Sequence, residues 1–135
     1  MAFTWNPELE TGHATIDMQH KELIKTINDL LTACQQGYAA DKVNQTIDFL
    51  LSYTKKHFGE EEALQQKSHY PDYTNHRQYH QGFVKVVMEL SAELKQSGPN
   101  PAIVIKIIRN VGDWLFNHIQ QEDKKVTAHL KQTGV

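Results

Sequence analysis

Four stretches of the chain repeat apolar residues at three- and four-residue steps, and each row carries histidine where the pattern calls for Leu or Val. The first row is His20, Leu23, Ile24, Ile27, Leu31 and Cys34. The second is Val43, Ile47, Leu50, Thr54, His57, Glu61 and Leu64. The third runs Tyr73, His76, His80, Phe83, Val87, Leu90 and Leu94, and the fourth Val104, Ile107, Val111, Trp114, Leu115 and His118. Short breakers separate the stretches: "QGYAAD" with Gly37, "KSHYPDY" with Pro71, and "SGPNP" ending in Pro101 at a helix start. Asp41 is the expected N-cap of the second helix.

Long helices joined by short connections predict an all-α, up-down-up-down antiparallel four-helix bundle. The chain of 135 residues and 15.5 kDa suits a single domain over residues 1–135. An irregular N-terminal arm is expected over about residues 1–15, with helices over about 17–36, 41–66, 71–96 and 102–131. Gly82 and Gly112 fall inside helices, at about 1 kcal/mol each relative to Ala.

Composition excludes several classes. A net charge of −2 gives no electrostatic basis for nucleic-acid capture. The longest apolar runs, such as "AIVI", are too short for a bilayer span, and "MAFTWNPELE" lacks the basic and apolar regions of a secretory signal. Cys34 is the single cysteine, so no internal disulfide can form, and it reads as a small buried residue in a reducing cytoplasm.

The polar residues in the core rows carry the functional information. A buried polar group without a partner costs about 1–3 kcal/mol, so five histidines and Glu61 together would be ruinous in a plain bundle. A metal site compensates all of them at once. His76 and His80 are four residues apart and share a face, and His57 and Glu61 repeat that spacing on another helix. With His20, His118 and one acid near His118, the set is too large for a tetrahedral zinc. It suits a dinuclear centre with bridging carboxylates, and imidazole with carboxylate suits iron. The ferritin-like arrangement needs two Glu-x-x-His motifs, and the one present here, Glu10–His13, lies in the arm.

Near His118 two acids compete. At about 100° per residue Glu122 lies about 40° from His118 and Asp123 about 140°, so periodicity alone favours Glu122. Asp123 fits if a π-type turn widens the helix there, or if the cluster lies to one side of it.

The chain resembles the hemerythrins, particularly the bacterial ones. "IDMQHKEL" (16–23) is similar to the first-helix histidine motif, and "HFGEEE" (57–62) to the second-helix His-Phe-x-x-Glu pattern. "HRQYH" (76–80) resembles the paired histidines, "WLFNHIQQED" (114–123) the last-helix motif, and "TWNPEL" (4–9) the arm. The resemblance implies that His76, His80 and His118 ligate one iron and His20 and His57 the other. Glu61 and Asp123 would bridge them, and Glu122 would be a neighbour. It further implies two non-heme iron ions with an oxo or hydroxo bridge. One iron is then closed, while the other keeps an open position for O₂, with NO and small anions such as azide as further ligands. Leu23, Phe58, Trp114, Leu115 and Ile119 would form an apolar ligand pocket. The implied function is non-enzymatic: oxygen carriage and storage, or oxygen sensing in a hemerythrin domain fused to a signalling module such as a chemotaxis receptor. A di-iron enzyme (peroxidase-like, nitric oxide-handling or iron-donating) is the alternative. A cytoplasmic monomer or weak dimer is expected. His13, His69 and His129 are expected outside the ligand set, and Tyr70, Tyr73 and Tyr79 as packing residues.

Overall fold

Residues 3–134 are described by the computed structural model, and they form helices and turns without a strand among them. α1 (Ala14–Gln36), α2 (Ala39–Lys67), α3 (Tyr73–Ser97) and α4 (Pro101–His118) follow one another. A π-helical turn (Ile119–Asp123) then leads into α5 (Lys124–Thr133), so α4, the turn and α5 make the fourth rod. Each rod packs on its sequence neighbours and α4 closes back on α1, giving the antiparallel four-helix bundle.

The helix ends explain most departures from the expected boundaries. α1 begins three residues early because His13 caps it: its Nδ1 accepts from the Ile16 amide at 3.3 Å. Gly37 takes the left-handed conformation (φ 85°), and the Tyr38 amide bonds back to the Ala33 carbonyl at 2.9 Å. That closure hands the chain over within one residue, so α2 starts at Ala39. Asp41 is therefore not the N-cap but sits in the first turn, where its charge still meets the positive helix end. α2 ends the same way, with His69 at φ 56° and the Tyr70 amide on the Gln65 carbonyl at 2.8 Å. Pro101 opens α4 as expected, capped by Asn100, whose Oδ1 accepts from the Ile103 amide at 3.0 Å.

The main core joins Leu23, Ile27 and Leu30 of α1 to Ile47, Leu50 and Phe58 of α2, Phe83 and Val87 of α3, and Ile107, Val111 and Leu115 of α4. Leu31, Cys34 and Leu64 sit at the margin of their arcs, half-buried; Leu30, Ala33 and Gln65 take the interior positions instead. A smaller cluster of Ile16, Tyr70, Val126 and Leu130 closes the other end of the bundle. Tyr73 packs on it half-buried, whereas Tyr79 is exposed rather than a core residue.

The arm lies on α1 and α4. Asn28 clamps the Phe3 backbone at both polar groups, accepting from its N–H at 2.8 Å and donating to its carbonyl at 2.7 Å. The Phe3 ring fills the space over Gly112, where any Cβ would collide with it. Further along, Leu9 is fully buried against Ile24 and Ile119. Among the described residues, no helix is long and apolar enough to cross a membrane.

Candidate metal centre

Between the two apolar clusters the four rods bring seven polar side chains together. α1 supplies His20, α2 His57 and Glu61, and α3 His76 and His80. His118 ends α4, and Asp123 ends the π-turn. His118 is the most exposed at 6 %, and the other six lie between 0 and 2 %.

All five imidazoles turn Nε2 inward, and the two carboxylates divide their oxygens between them. Asp123 Oδ1 lies 3.1 Å from His76 Nε2 and 3.0 Å from His118 Nε2, while its Oδ2 lies 2.8 Å from His20 Nε2. Glu61 Oε1 lies 2.7 Å from His76 Nε2 and 3.7 Å from His80 Nε2, while its Oε2 lies 3.4 Å from His57 Nε2. Each carboxylate thus presents one oxygen to the three-imidazole side and the other to the two-imidazole side. The grouping is the same by convergence of donor atoms: Glu61, His76, His80, His118 and Asp123 on one side, His20, His57, Glu61 and Asp123 on the other.

Close as these atoms are, many of them do not hydrogen-bond. The Nε2 atoms of His20 and His76, Oε2 of Glu61 and both oxygens of Asp123 are buried with no aligned partner among the described residues. Groups that point at common centres between them, rather than at one another, behave this way. The donor set is chemically right for a pair of metal ions such as iron: neutral imidazole nitrogens and carboxylates, with the carboxylates shared.

The electrostatics of the cluster agree. Burial, reinforced by the His20 ring, pushes His57 down to about 3. Burial and the neighbouring His118 and His76 push His80 down to about 2. Both are therefore neutral at ordinary pH, as a metal ligand must be. His76 moves the other way: burial opposes its charge, but the nearby carboxylates of Asp123 and Glu61 raise it to about 9. Burial and the charge of Asp123 push Glu61 well above the carboxylate range. Burial works against the Asp123 charge too, yet His118, His20 and His76 hold it well below that range.

The two acids after His118 separate clearly. The widened turn carries Asp123 into the cluster, while Glu122 points away, 3.8 Å from Lys125 Nζ. Of the anticipated pocket residues, Leu23, Leu115, Ile119 and Phe58 are buried. Phe58 lies flat on His80 (centroids 3.8 Å, 5° between planes), and Trp114 lies flat on His118 (4.4 Å, 14°). His13 caps α1, His69 makes the turn after α2, and His129 donates from Nε2 to the Ser68 carbonyl at 2.8 Å.

Residues behind the ligand set escaped the sequence reasoning. Gln19 Oε1 accepts from His57 Nδ1 at 2.6 Å, and its amide nitrogen bonds Glu60. Glu62 Oε2 accepts from His80 Nδ1 at 3.1 Å. Gln65, fully buried, donates to Glu61 Oε1 at 3.4 Å. Gln19 had a signal, since it stands three residues after Ile16 and four before Leu23 on the buried side of α1. Glu62 had none, because it flanks Glu61 and reaches sideways to α3.

Comparison with known proteins adds an independent finding. The profile of the hemerythrin HHE cation binding domain matches residues 11–130. A bacteriohemerythrin of Stenotrophomonas maltophilia is 33% identical over 132 residues, covering 95% of this chain and 84% of that protein. One from Methylococcus capsulatus is 31% identical, covering 90% and 91%. A myohemerythrin of Theromyzon tessulatum is 26% identical, covering 95% and 93%.

Proposed function

The chain belongs to the hemerythrin family, and from that premise we propose that it is a non-heme di-iron protein that binds O₂ reversibly. His76, His80 and His118 would hold one iron and His20 and His57 the other, with Glu61 and Asp123 each giving an oxygen to both. The observation that carries this reading is the unequal division around shared carboxylates, three imidazoles against two. With one imidazole fewer, the side held by His20 and His57 would leave a position open, and an iron there would supply the redox chemistry for binding O₂.

The surrounding residues favour binding over turnover. Leu23 and Leu115 belong to the main core beside the cluster, and Ile119 begins the turn that carries Asp123. These apolar side chains exclude the water and protons that reduction of O₂ would consume. Phe58 and Trp114 wall the three-histidine side by stacking on His80 and His118. The function is carriage or storage of oxygen in the cytoplasm, by a monomer or weak dimer, or oxygen sensing where such a domain is joined to a signalling module.

Iron analysis and oxygen cycling test the proposal together. About two irons per chain and an optical adduct that forms in air and disappears under vacuum, over repeated cycles, are expected. Iron far below that ratio, or an adduct that decays at once with peroxide turnover, would overturn it.

A further inference from the structure

Two of the five imidazoles are gripped from behind, and the two grips differ in charge. His57 Nδ1 meets the amide oxygen of Gln19 on α1, a neutral acceptor, whereas His80 Nδ1 meets the carboxylate of Glu62 on α2. The Nδ1 atoms of His20 and His76 have no partner among the described residues. The contrast falls along the division of the site, since His57 belongs to the two-histidine group and His80 to the three-histidine group.

His80 is tightly constrained. Its ring is 2 % exposed and stacked on Phe58, so it cannot swing away from Glu62 without unstacking. With Nδ1–H donated to the carboxylate, Nε2 keeps the lone pair and faces the cluster, where it lies 3.2 Å from His118 Nε2. A carboxylate on the far side of a ligating imidazole also makes that ring a stronger donor. Glu62 is only partly buried. It borders a surface groove of about 350 Å³, and Arg77 Nε lies 3.7 Å from its Oε1.

We propose that Glu62 is a positioning residue for the three-histidine metal: it fixes His80 as an Nε2 donor and places a negative charge behind it, favouring the more highly charged, oxidised state on that side. The site is then uneven in two respects, in the number of imidazoles and in the charge behind them. The proposal rests on the di-iron reading above. Its consequence is that Glu62 sets how readily the oxidised protein is reduced, without touching O₂ or iron itself.

Glu62→Gln and Glu62→Leu separate the two roles. The glutamine keeps an acceptor for Nδ1 and removes the charge; the leucine removes both. Iron content, iron release to a chelator and the midpoint potential by spectroelectrochemical titration are to be measured on wild type and both variants, with circular dichroism to confirm folding. Glu62→Gln is expected to keep two irons and shift the potential upward. Glu62→Leu is expected to shift it further and to release iron at least about tenfold faster, in the range found when partners of metal-bound histidines are removed. An unchanged or lowered potential in Glu62→Gln, with two irons retained, overturns the role of Glu62 and leaves the di-iron reading standing. Wild-type protein that takes up no iron pair overturns both. Should the leucine variant not fold, the potential of the glutamine variant decides alone.

Discussion

Stripped of metal, this protein should lose stability on both sides of a crest near neutral pH. His57 and His80 fall from the usual 6.5 to about 3 and about 2 in the folded chain, chiefly because they are buried. Their contribution is therefore whole above 6.5 and is lost as the pH falls, because the unfolded chain takes up protons that the fold refuses. His76, raised from 6.5 to about 9 against its burial by Asp123 and Glu61, has the opposite sign. Its contribution is whole below 6.5 and is lost as the pH rises through 9. Glu61, pushed upward by burial and by Asp123, has the same sign as His76. It offsets one of the two histidines on the acid limb and adds to His76 on the alkaline limb. Asp123, held below the carboxylate range, is charged in both states and drops out.

About one net proton remains on the acid limb and at least one on the alkaline limb, or about 1.4 kcal/mol per pH unit on each. Between pH 6.5 and 5 that is about 2 kcal/mol, a large share of the stability of a small domain. Urea unfolding of chelator-stripped protein, followed by circular dichroism from pH 5 to 9, measures it. Iron-loaded protein provides the contrast, since bound metal occupies the nitrogens that would otherwise titrate, and its curve should stay flat until iron is lost. Metal-free protein that grows steadily more stable from neutrality to pH 5, or is level throughout, would refute the argument. The imidazoles would then be solvated rather than confined.

Three further outcomes follow from single side chains. Leu115→Ala opens a cavity at a residue 2 % exposed; it should cost about 2–5 kcal/mol in urea unfolding and hasten autoxidation in air, and unchanged autoxidation would remove Leu115 from the ligand pocket. Asp123→Ala should lower bound iron well below two per chain, while Glu122→Ala, altering a side chain turned toward Lys125, should leave it there; elemental analysis that ranks them the other way would reverse the assignment. His69 occupies the left-handed position after α2 at φ 56°, where Gly37 stands after α1, so His69→Gly should stabilise the protein by about 1 kcal/mol, read as a higher urea midpoint.

What the sequence makes legible is what repeats or breaks. Pro71, Pro101 and Gly37 mark the connections, and the three- and four-residue rows are enough to place Leu23, Leu50, Phe83 and Leu115 inside. Single long-range contacts leave no such trace. Nothing in "AFTWN" indicates that Asn28 clamps the Phe3 backbone, or that Gly112 is bare to receive the Phe3 ring. Read alone, Gly112 is only a weak point in a helix. The early start of α1 was hidden for a similar reason: Gly12 looks like the end of the arm, and a histidine is an unusual N-cap.

The π-turn is a different case, because its signal lies in the sequence outside the two residues it was sought in. His118 and Asp123 by themselves permit either a widened turn or a cluster set to one side of a regular helix. The residues beyond them distinguish the two. On a regular helix with His118 at zero, the buried positions Val104, Ile107, Ile108, Val111 and Leu115 centre about 35° round. Asp123, Val126, Thr127 and Leu130 centre about 130° round, further by about one residue's rotation. A cluster lying to one side would displace Asp123 alone and let the later residues fall back into phase. A whole tail out of phase by one residue requires one extra residue in the turn, and that is the form the chain takes between Ile119 and Asp123. The same shift explains why periodicity pointed to Glu122: it lies about 40° round, in the phase of α4, but the phase changes before the chain reaches it.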